Sequence, residues 1–211
     1  MDLFQRLEWM TYDWRVRLAA RLSPKPTTNL GFVFMDDDTV EQLGNGLLGG
    51  QSYGLLWPRL IYGRLVRELS IQGAKAVAFD VLFAELRPDH PLIEMPDQKR
   101  LASDDFFAQQ IKLSGNVILA AQNAVVPHEL FRTNAWGIGD ISSEADSDGI
   151  SRRVKAFKDY HIWNPLFKHL ARERGLKLLL DRHRVTFLEP VTRQTNLTLE
   201  IDSNGFFRWK T

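Results

Sequence analysis

Aspartates follow one apolar segment of the sequence and lie in the second half of another. Asp36–Asp38 follow the segment Leu30–Met35, and Asp80 lies within Ala76–Phe83. Both segments predict buried strands, and parallel strands bring their carboxyl ends to one edge of a sheet, where open α/β proteins bind ligands. Carboxylates at such an edge can hold a hard cation or accept hydrogen bonds from a polar ligand. The alternative is that these aspartates form turns and helix caps.

An aromatic and a cationic residue flank Pro58, at the predicted start of a helix. Trp57 and Arg59 can form a stacking wall for a ligand, because guanidinium groups and aromatic rings pack well together. Arg59 and Arg64 can also pair with the strand-end carboxylates. Core packing is the alternative for Trp57, as for most of the six tryptophans.

The segment Val33–Val40 (VFMDDDTV) also fits the strand-end motif of haloacid-dehalogenase-like phosphohydrolases. In that hypothesis Asp36 is the nucleophile and Asp38 the acid/base. The chemistry needs a downstream lysine and a later acidic pair that holds magnesium at a strand or helix end. The later pair Asp104-Asp105 falls inside a predicted helix instead. A magnesium-dependent phosphohydrolase is therefore the second hypothesis for this chain.

The other candidate metal ligands lack the spacing of a metal site. Asp146-Ser147-Asp148-Gly149 resembles the start of a calcium loop, but the later ligands are missing, so it predicts a tight turn. The five histidines include no pair at close ligand spacing, and the chain has no cysteine. The net charge of +1 argues against nucleic acid. We therefore expect no metal, no other cofactor and no nucleic-acid partner.

The spacing of apolar residues predicts helices that alternate with buried strands. The predicted helices are Asp2–Leu22, Pro58–Gln72 and Leu101–Leu113, and the predicted strands are Leu30–Met35, Ala76–Phe83 and Val117–Ala121. Connections of this kind join parallel neighbours through right-handed crossovers. The fold class is α/β, with a mainly parallel sheet flanked by helices and a long N-terminal helix.

The pattern changes after Asn123, where additional strands and a hairpin are predicted. These elements are a strand at Arg152–Phe157, a helix at Trp163–Leu180 interrupted at Gly175, and a hairpin at Leu197–Trp209 about Asn204-Gly205. No run of about 18 uncharged apolar residues occurs, so we expect the chain by itself to be soluble. We expect an N-terminal helix over residues 1–23 and one domain over residues 24–211.

Several short sequences resemble, in the same order, the pattern of the type-two CHASE domain. They are Tyr12-Asp13-Trp14-Arg15, the strand that ends at Asp36-Asp37, Trp57-Pro58-Arg59, the segment Gly73–Phe83, the segment Gly115–Ala120, and Asp146-Ser147-Asp148-Gly149 followed by Arg152-Arg153. The resemblance covers residues 9–160. A series of ordered matches is much more specific than any one of them.

The resemblance implies a ligand-sensing domain of a bacterial signal-transduction receptor. Such domains lie on the extracytoplasmic, periplasmic face of the inner membrane, anchored by flanking transmembrane helices that this sequence does not contain. Their effector is an adenylate or guanylate cyclase, a histidine kinase or a protein kinase, so this chain itself would carry no catalytic residue. Paired effectors imply a homodimer. Family members continue into a further strand and helix, so we expect the domain to be incomplete at its C-terminal end.

The resemblance leaves the small-molecule ligand unidentified, so candidate site residues follow from position alone. The candidate ligand-binding residues are Asp36, Asp37, Trp57, Arg59 and Asp80. The candidate residues for signal transmission are Tyr12, Asp13, Trp14 and Arg15 in the first helix. In this hypothesis the ligand shifts the domain between two arrangements, and the first helix passes the difference toward the membrane.

Overall fold

The computed structural model describes residues 3–22, 29–45, 57–94, 100–158 and 162–207. The chain divides into two compact units, Met1–Leu55 and Leu56–Thr211. The first unit contains helix α1 (Leu3–Leu22) and helix α2 (Asp37–Gly44). The N-terminal helix predicted from the sequence is therefore confirmed. Its apolar face, which includes Met10 and Trp14, is largely exposed.

The segment Leu30–Met35 is not the buried strand predicted from its composition. It joins no strand among the described residues, and Phe32, Val33 and Phe34 are each exposed by 66–76%. A run of apolar residues favours burial, but a strand also requires a neighbouring strand whose backbone groups can hydrogen-bond with its own. The prediction of a buried strand here was wrong.

The second unit contains four helices and ten strands among its described residues. The helices are α3 (Arg59–Ile71), α4 (Ser103–Ser114), α5 (Glu129–Arg132) and α6 (Leu166–Glu173). The strands are β1 (Val77–Ala78), β2 (Ile93–Glu94), β3 (Arg100–Leu101), β4 (Val117–Ala121), β5 (Gly137–Asp140), β6 (Phe157–Lys158), β7 (Ile162–Trp163), β8 (Lys177–Asp181), β9 (Arg184–Leu188) and β10 (Thr195–Glu200). Within these residues no helix is both long and apolar enough to cross a membrane.

A three-stranded parallel sheet, ordered β1-β4-β5, is the centre of the second unit. Val77 pairs with Val117, and Ala121 pairs with Asp140. Helix α4 connects β1 to β4, as a parallel crossover requires. The predicted α/β fold is confirmed, although β1 is much shorter than the predicted strand Ala76–Phe83.

Helices α3 and α4 pack together over a cluster of aromatic side chains. The ring centroids of Phe83 and Phe107 are 4.9 Å apart, and those of Tyr62 and Phe83 are 5.1 Å apart. Burial of each such ring contributes about 1.5–3 kcal/mol. Gly63 permits the close approach of the helices, because a Cβ atom there would lie 2.7 Å from the ring of Phe106.

A second, antiparallel sheet of order β10-β9-β8 packs its apolar side against α6 and β6. The predicted helix Trp163–Leu180 is wrong in its second half, where β8 pairs with β9. Gly175 adopts a φ of +63° just after α6 and ends the helix, and an apolar run such as Leu178–Leu180 fits a strand as well as a helix.

The remaining C-terminal predictions hold in part. The predicted strand Arg152–Phe157 forms an isolated antiparallel bridge from Lys155 to Phe206, and joins a regular strand, β6, only at Phe157. The turn about Asn204-Gly205 is confirmed: Gly205 has a φ of +85°, and Ile201 bridges antiparallel to Phe207. Trp209, the predicted end of that hairpin, lies outside the described residues.

Candidate functional site

The N-termini of α3 and α4 meet at a buried polar cluster. The hydroxyl of Ser103 accepts a hydrogen bond from the backbone N–H of Leu60 at 2.7 Å, so a residue of α4 satisfies an N–H in the first turn of α3. The side chain of Arg59 is 9% exposed and that of Asp104 is 8% exposed. Both partners of a charged pair are therefore withdrawn from water here.

Arg59 is held from several sides. Its guanidinium lies over the ring of Phe83, with the Cζ atom 4.8 Å from the ring centroid, and its Nη2 donates to the carbonyl of Glu85 at 3.3 Å. Its Nε lies 3.7 Å from Oδ1 of Asp104. Burial lowers the pKa of Arg59, and the Asp104 carboxylate opposes that shift. The buried guanidinium of Arg59 is therefore placed to bind a negatively charged group.

Three buried polar atoms of this cluster have no hydrogen-bond partner among the described residues. They are Nε1 of Trp57, Nε of Arg59 and Oδ1 of Asp104. Buried donors and acceptors are nearly always satisfied, yet Nε of Arg59 and Oδ1 of Asp104 lie 3.7 Å apart, beyond hydrogen-bond distance. A polar ligand would have to displace one member of this pair in order to bond to the other.

Residues 85–90, here called the covering loop, lie over Arg59 and Asp104. The backbone N–H of Arg87 donates to Oδ2 of Asp104 at 2.6 Å. The loop is braced by two hydrogen bonds from Arg87 to Asp89, which hold the pKa of Asp89 down at about 2. His90, the last residue of the loop, is buried, and burial lowers its pKa.

Asp80 lies two residues beyond the carboxyl end of β1. The backbone N–H of Phe79 bonds to the carbonyl of Ile118 at 3.0 Å, and its ring lies 6.0 Å from that of Tyr62, on the side of α3. Asp80 is exposed, whereas Trp57 and Arg59 are buried. The grouping of Asp80 with these two residues stays a prediction.

Asp36 and Asp37 belong to the first unit. Asp36 caps α2, where its Oδ1 accepts hydrogen bonds from the backbone N–H of Thr39, at 2.9 Å, and from the Thr39 hydroxyl. These bonds lower the pKa of Asp36. Asp37 begins the helix and is exposed. The capping alternative describes Asp36 well, and the grouping of either residue with Asp80 stays a prediction.

The candidate transmission residues lie on α1. Tyr12 and Asp13 are half-buried, whereas Trp14 is 65% exposed. The Nε of Arg15 donates to the carbonyl of Thr11 at 3.2 Å, within the helix. Their role in transmission stays a prediction.

The sequence interpretation missed several polar residues that the fold brings together. Asp140 ends β5, where its Oδ1 accepts from the hydroxyl of Ser142 at 2.6 Å and lies 3.4 Å from the Nζ of Lys158. Asp104 was noted only as a helical residue, and His90 only as one histidine among five. Asp140 is the last residue of a short, glycine-rich strand, which is only a weak sequence signal for a functional residue. The residues that contact Asp104, namely Arg59 and Arg87, are distant from it in the sequence.

The predicted turn at Asp146–Gly149 is confirmed. The backbone N–H of Gly149 donates to the carbonyl of Asp146 at 2.9 Å, and Gly149 has a φ of +82°. Both aspartates pair with Arg152, so their carboxylates serve an ion network. Among the described residues, no group of three or more acidic, histidine or cysteine side chains could hold a metal ion.

A cleft between α6 and the antiparallel sheet is too small for a metabolite. It has a volume of about 60 Å³, whereas pockets for small molecules are typically about 300–1,000 Å³. It is lined by Leu170, Arg174, Leu176, Phe187, Asn196 and Leu197. The polar cluster at α3 and α4 is the candidate instead because it holds buried polar atoms without hydrogen-bond partners among the described residues, not because of its volume.

A model of the CHASE2 domain family matches residues 1–208. No curated protein and no solved structure matches the chain. The match includes the tryptophan and arginine of the buried cluster and the acidic turn that binds Arg152. The chain belongs to the CHASE2 domain family, the extracytoplasmic sensor domains of signalling proteins.

Proposed function

We propose that this chain is the ligand-sensing domain of a membrane-bound bacterial receptor. In this proposal flanking helices outside the 211 residues hold the domain at the periplasmic face of the inner membrane. The regulated effector is an adenylate or guanylate cyclase, a histidine kinase or a protein kinase, and it also lies outside the chain. Two copies act together, because such effectors work in pairs.

The observation that carries this proposal is the buried cluster of Trp57, Arg59 and Asp104 beneath the covering loop. Arg59 and Asp104 pair at 3.7 Å, but Nε of Arg59 and Oδ1 of Asp104 make no hydrogen bond within the described part of the chain. A polar ligand that supplies the missing hydrogen bonds would therefore be favoured. A ligand with a carboxylate or phosphate group competes with Asp104 for Arg59. Its entry requires the covering loop to leave Asp104, which gives the domain two arrangements.

Transmission is assigned to α1. Its Tyr12-Asp13-Trp14-Arg15 segment combines aromatic surface with charge, so a small shift of the helix can carry the change toward the membrane. In the full-length receptor, Trp14→Ala is expected to leave ligand affinity intact and to abolish the change in effector activity. Normal signalling by that variant would exclude this role for Trp14.

The test of ligand binding is a thermal-shift screen of the chain against amino acids, phosphorylated metabolites, sugars and metal ions. A ligand that binds only the folded state raises the melting temperature. Trp57→Phe removes one donor but keeps an aromatic ring, and is expected to reduce the shift. Arg64→Lys is the matched control, since Arg64 lies exposed on the same helix. A shift that survives both Trp57→Phe and Arg59→Lys would place the ligand elsewhere.

The phosphohydrolase hypothesis makes a different prediction. It requires magnesium-dependent hydrolysis of a phosphate ester that is abolished by Asp36→Asn. In our proposal the chain catalyses no reaction, and the Asp36 carboxylate caps α2. The same substitution would then lower the melting temperature slightly and leave ligand binding unchanged. An assay with p-nitrophenyl phosphate and Mg²⁺ decides between the two.

A further inference from the structure

Strand β8 forms one edge of the antiparallel sheet. Among the described residues, the sheet order β10-β9-β8 leaves its outer side without a neighbouring strand. The strand reads Lys177-Leu-Leu-Leu-Asp181 and contains no bulge or proline along its pairing with β9. Unpaired backbone groups on a regular edge are a template for another strand.

The opposite edge of the sheet differs from β8 in its regularity. Strand β10 carries an irregularity between Thr195 and Leu197, whereas β8 pairs with β9 without one. Irregularities of this kind are one means by which proteins prevent edge pairing. At the centre of β8, Leu179 is 46% exposed.

The hydrogen-bond pattern determines which groups of β8 face outward. The backbone N–H of Ile201 donates to the carbonyl of His183 at 2.8 Å, so the backbone groups of His183 point toward β10. The backbone groups of successive residues point to opposite sides of a strand, so those of Arg184 and Thr186 point toward β8, where these residues pair with Asp181 and Leu179.

It follows that the outward backbone groups belong to Leu178 and Leu180. Their side chains meanwhile pack against the hydrophobic core of the sheet. A second strand could therefore pair with this edge without moving the core.

The sequence of β8 is complementary to itself in the antiparallel direction. In a two-fold arrangement centred on Leu179, the outward groups of Leu178 meet those of Leu180 in the second copy, which gives four backbone hydrogen bonds. Leu179 then faces its own counterpart. On that exposed face Lys177 lies opposite Asp181 of the other copy, at both ends of the pair, and opposite charges in this position stabilise a sheet.

We propose that β8 is a homodimer interface, at which two copies join their antiparallel sheets into one six-stranded sheet. The inference rests on the proposed function only in its premise that two copies of the receptor act together, and it adds that β8 joins the two copies. Ligand binding at Arg59 and Asp104 uses other elements. Failure of ligand binding and failure of this interface are therefore measured separately.

The first test uses a single cysteine, because the chain has none of its own. At the centre of the proposed pair, Leu179 and its counterpart form a pair without mutual hydrogen bonds, with Cα atoms about 4.5 Å apart. That distance lies within the range of about 4.4–6.8 Å that a disulfide spans. Mild oxidation of Leu179→Cys is therefore expected to give a covalent dimer on a non-reducing gel.

Thr198→Cys, on the exposed edge strand β10, is the matched control and should remain mainly monomeric. If Leu179→Cys forms no more covalent dimer than Thr198→Cys, the proposal is overturned.

The second test measures self-association of the 211-residue chain by sedimentation equilibrium. Lys177→Glu places two acidic residues opposite each other at both ends of the pair and should weaken dimerisation at least about tenfold. Lys112→Glu makes the same charge change at an exposed site on α4 and should have no effect.

Adding Asp181→Lys to Lys177→Glu should restore dimerisation in part, since Asp181 also accepts a hydrogen bond from the backbone of His183. A chain that is monomeric at submillimolar concentration, or a dimer that tolerates Lys177→Glu, would refute the interface. Circular dichroism confirms that each variant is folded.

Discussion

Arg152 and Asp148 are joined by two parallel hydrogen bonds, Nη1 to Oδ1 at 2.9 Å and Nη2 to Oδ2 at 2.7 Å. The same guanidinium lies 3.2 Å from Oδ2 of Asp146, and the side chains of Arg152 and Asp146 are only 6% and 5% exposed. An irregular loop between β5 and β6 is thus organised by a nearly buried cation and two carboxylates. This arrangement explains why Asp146–Gly149 forms a tight turn rather than a calcium loop.

The first prediction concerns this ion network. Arg152→Lys retains the positive charge but cannot bond to both oxygens of Asp148 while reaching Asp146. We expect the melting temperature to fall by roughly 5 °C. Arg153→Lys is the comparison, because Arg153 also bonds to Asp146, at 2.9 Å, but through a single nitrogen and with its side chain 47% exposed. Equal melting temperatures for the two variants would show that the double hydrogen bond contributes nothing to stability.

The second prediction concerns the charged pair at α3 and α4. Asp104→Asn leaves Arg59 buried without a counter-charge, and should lower the free energy of unfolding by about 2–3 kcal/mol. The neighbouring Asp105→Asn should change it by less than about 0.5 kcal/mol, because Asp105 is exposed. Urea denaturation measures both.

A double-mutant cycle then separates the pair from its surroundings. Arg59→Met combined with Asp104→Leu removes both charges and should be less destabilising than the sum of the single changes. Strict additivity would mean that Arg59 and Asp104 do not interact.

The third prediction is a pH dependence from His90. Burial lowers its pKa below the ordinary value of 6.5, so the folded protein favours the neutral imidazole. The stabilisation that comes from burying a neutral His90 is fully present above the pKa that His90 has in the unfolded chain. It is lost as the pH falls through the lower pKa that His90 has in the folded chain. Arg87 and Arg59 add to the shift, while Asp89 and Asp104 oppose it.

We therefore expect acidification from pH 8 to pH 5 to lower the melting temperature of the wild-type chain more than that of His90→Gln. The exposed His183→Gln is the control and should follow the wild type. If His90→Gln shows the same pH profile as the wild type, His90 is not the titrating group.

The fourth prediction concerns the contact between α3 and α4. Gly63→Ala improves helix propensity by about 1 kcal/mol, but its Cβ would lie 2.7 Å from the Phe106 ring. Overpacking of this kind costs about 1–3 kcal/mol. We expect a net loss of stability, measured by urea denaturation. Adding Phe106→Leu should recover part of the loss, and an unchanged loss in the double variant would show that the ring is not the obstacle.

The helices and the central strand could be predicted because local signals agree with the tertiary structure. Pro58 precedes α3, and Gly115 adopts a φ of +63° after α4, as their positions in the sequence indicated. Strand β4 matches its apolar run residue for residue. In these elements spacing, termination and burial all favour the same structure.

The errors arise where tertiary packing decides. Strand β5 (Gly-Ile-Gly-Asp) has little intrinsic preference for a strand, and it forms beside β4, where Gly139 accommodates Pro165. The apolar run of β8 has no feature that excludes a helix, and pairing with β9 makes it a strand. Likewise, Trp57 and Arg59 were identified as candidates, but nothing near Asp104 in the sequence indicates that it lies against Arg59.

The two sheets of the second unit also differ in the length of chain that must be closed to form them. Asp181 pairs with Arg184 across a two-residue turn, whereas Val77 must find Val117 on the far side of α4. Short loops close faster and at a smaller entropic cost. The β8–β9 hairpin should therefore be the first sheet element to gain protection in a pulse-labelling refolding experiment, ahead of the parallel sheet that supports the polar cluster. During biosynthesis β1, β4 and β5 leave the ribosome before β8 and β9, so the sheet that emerges first is expected to complete its pairing after the hairpin that emerges later.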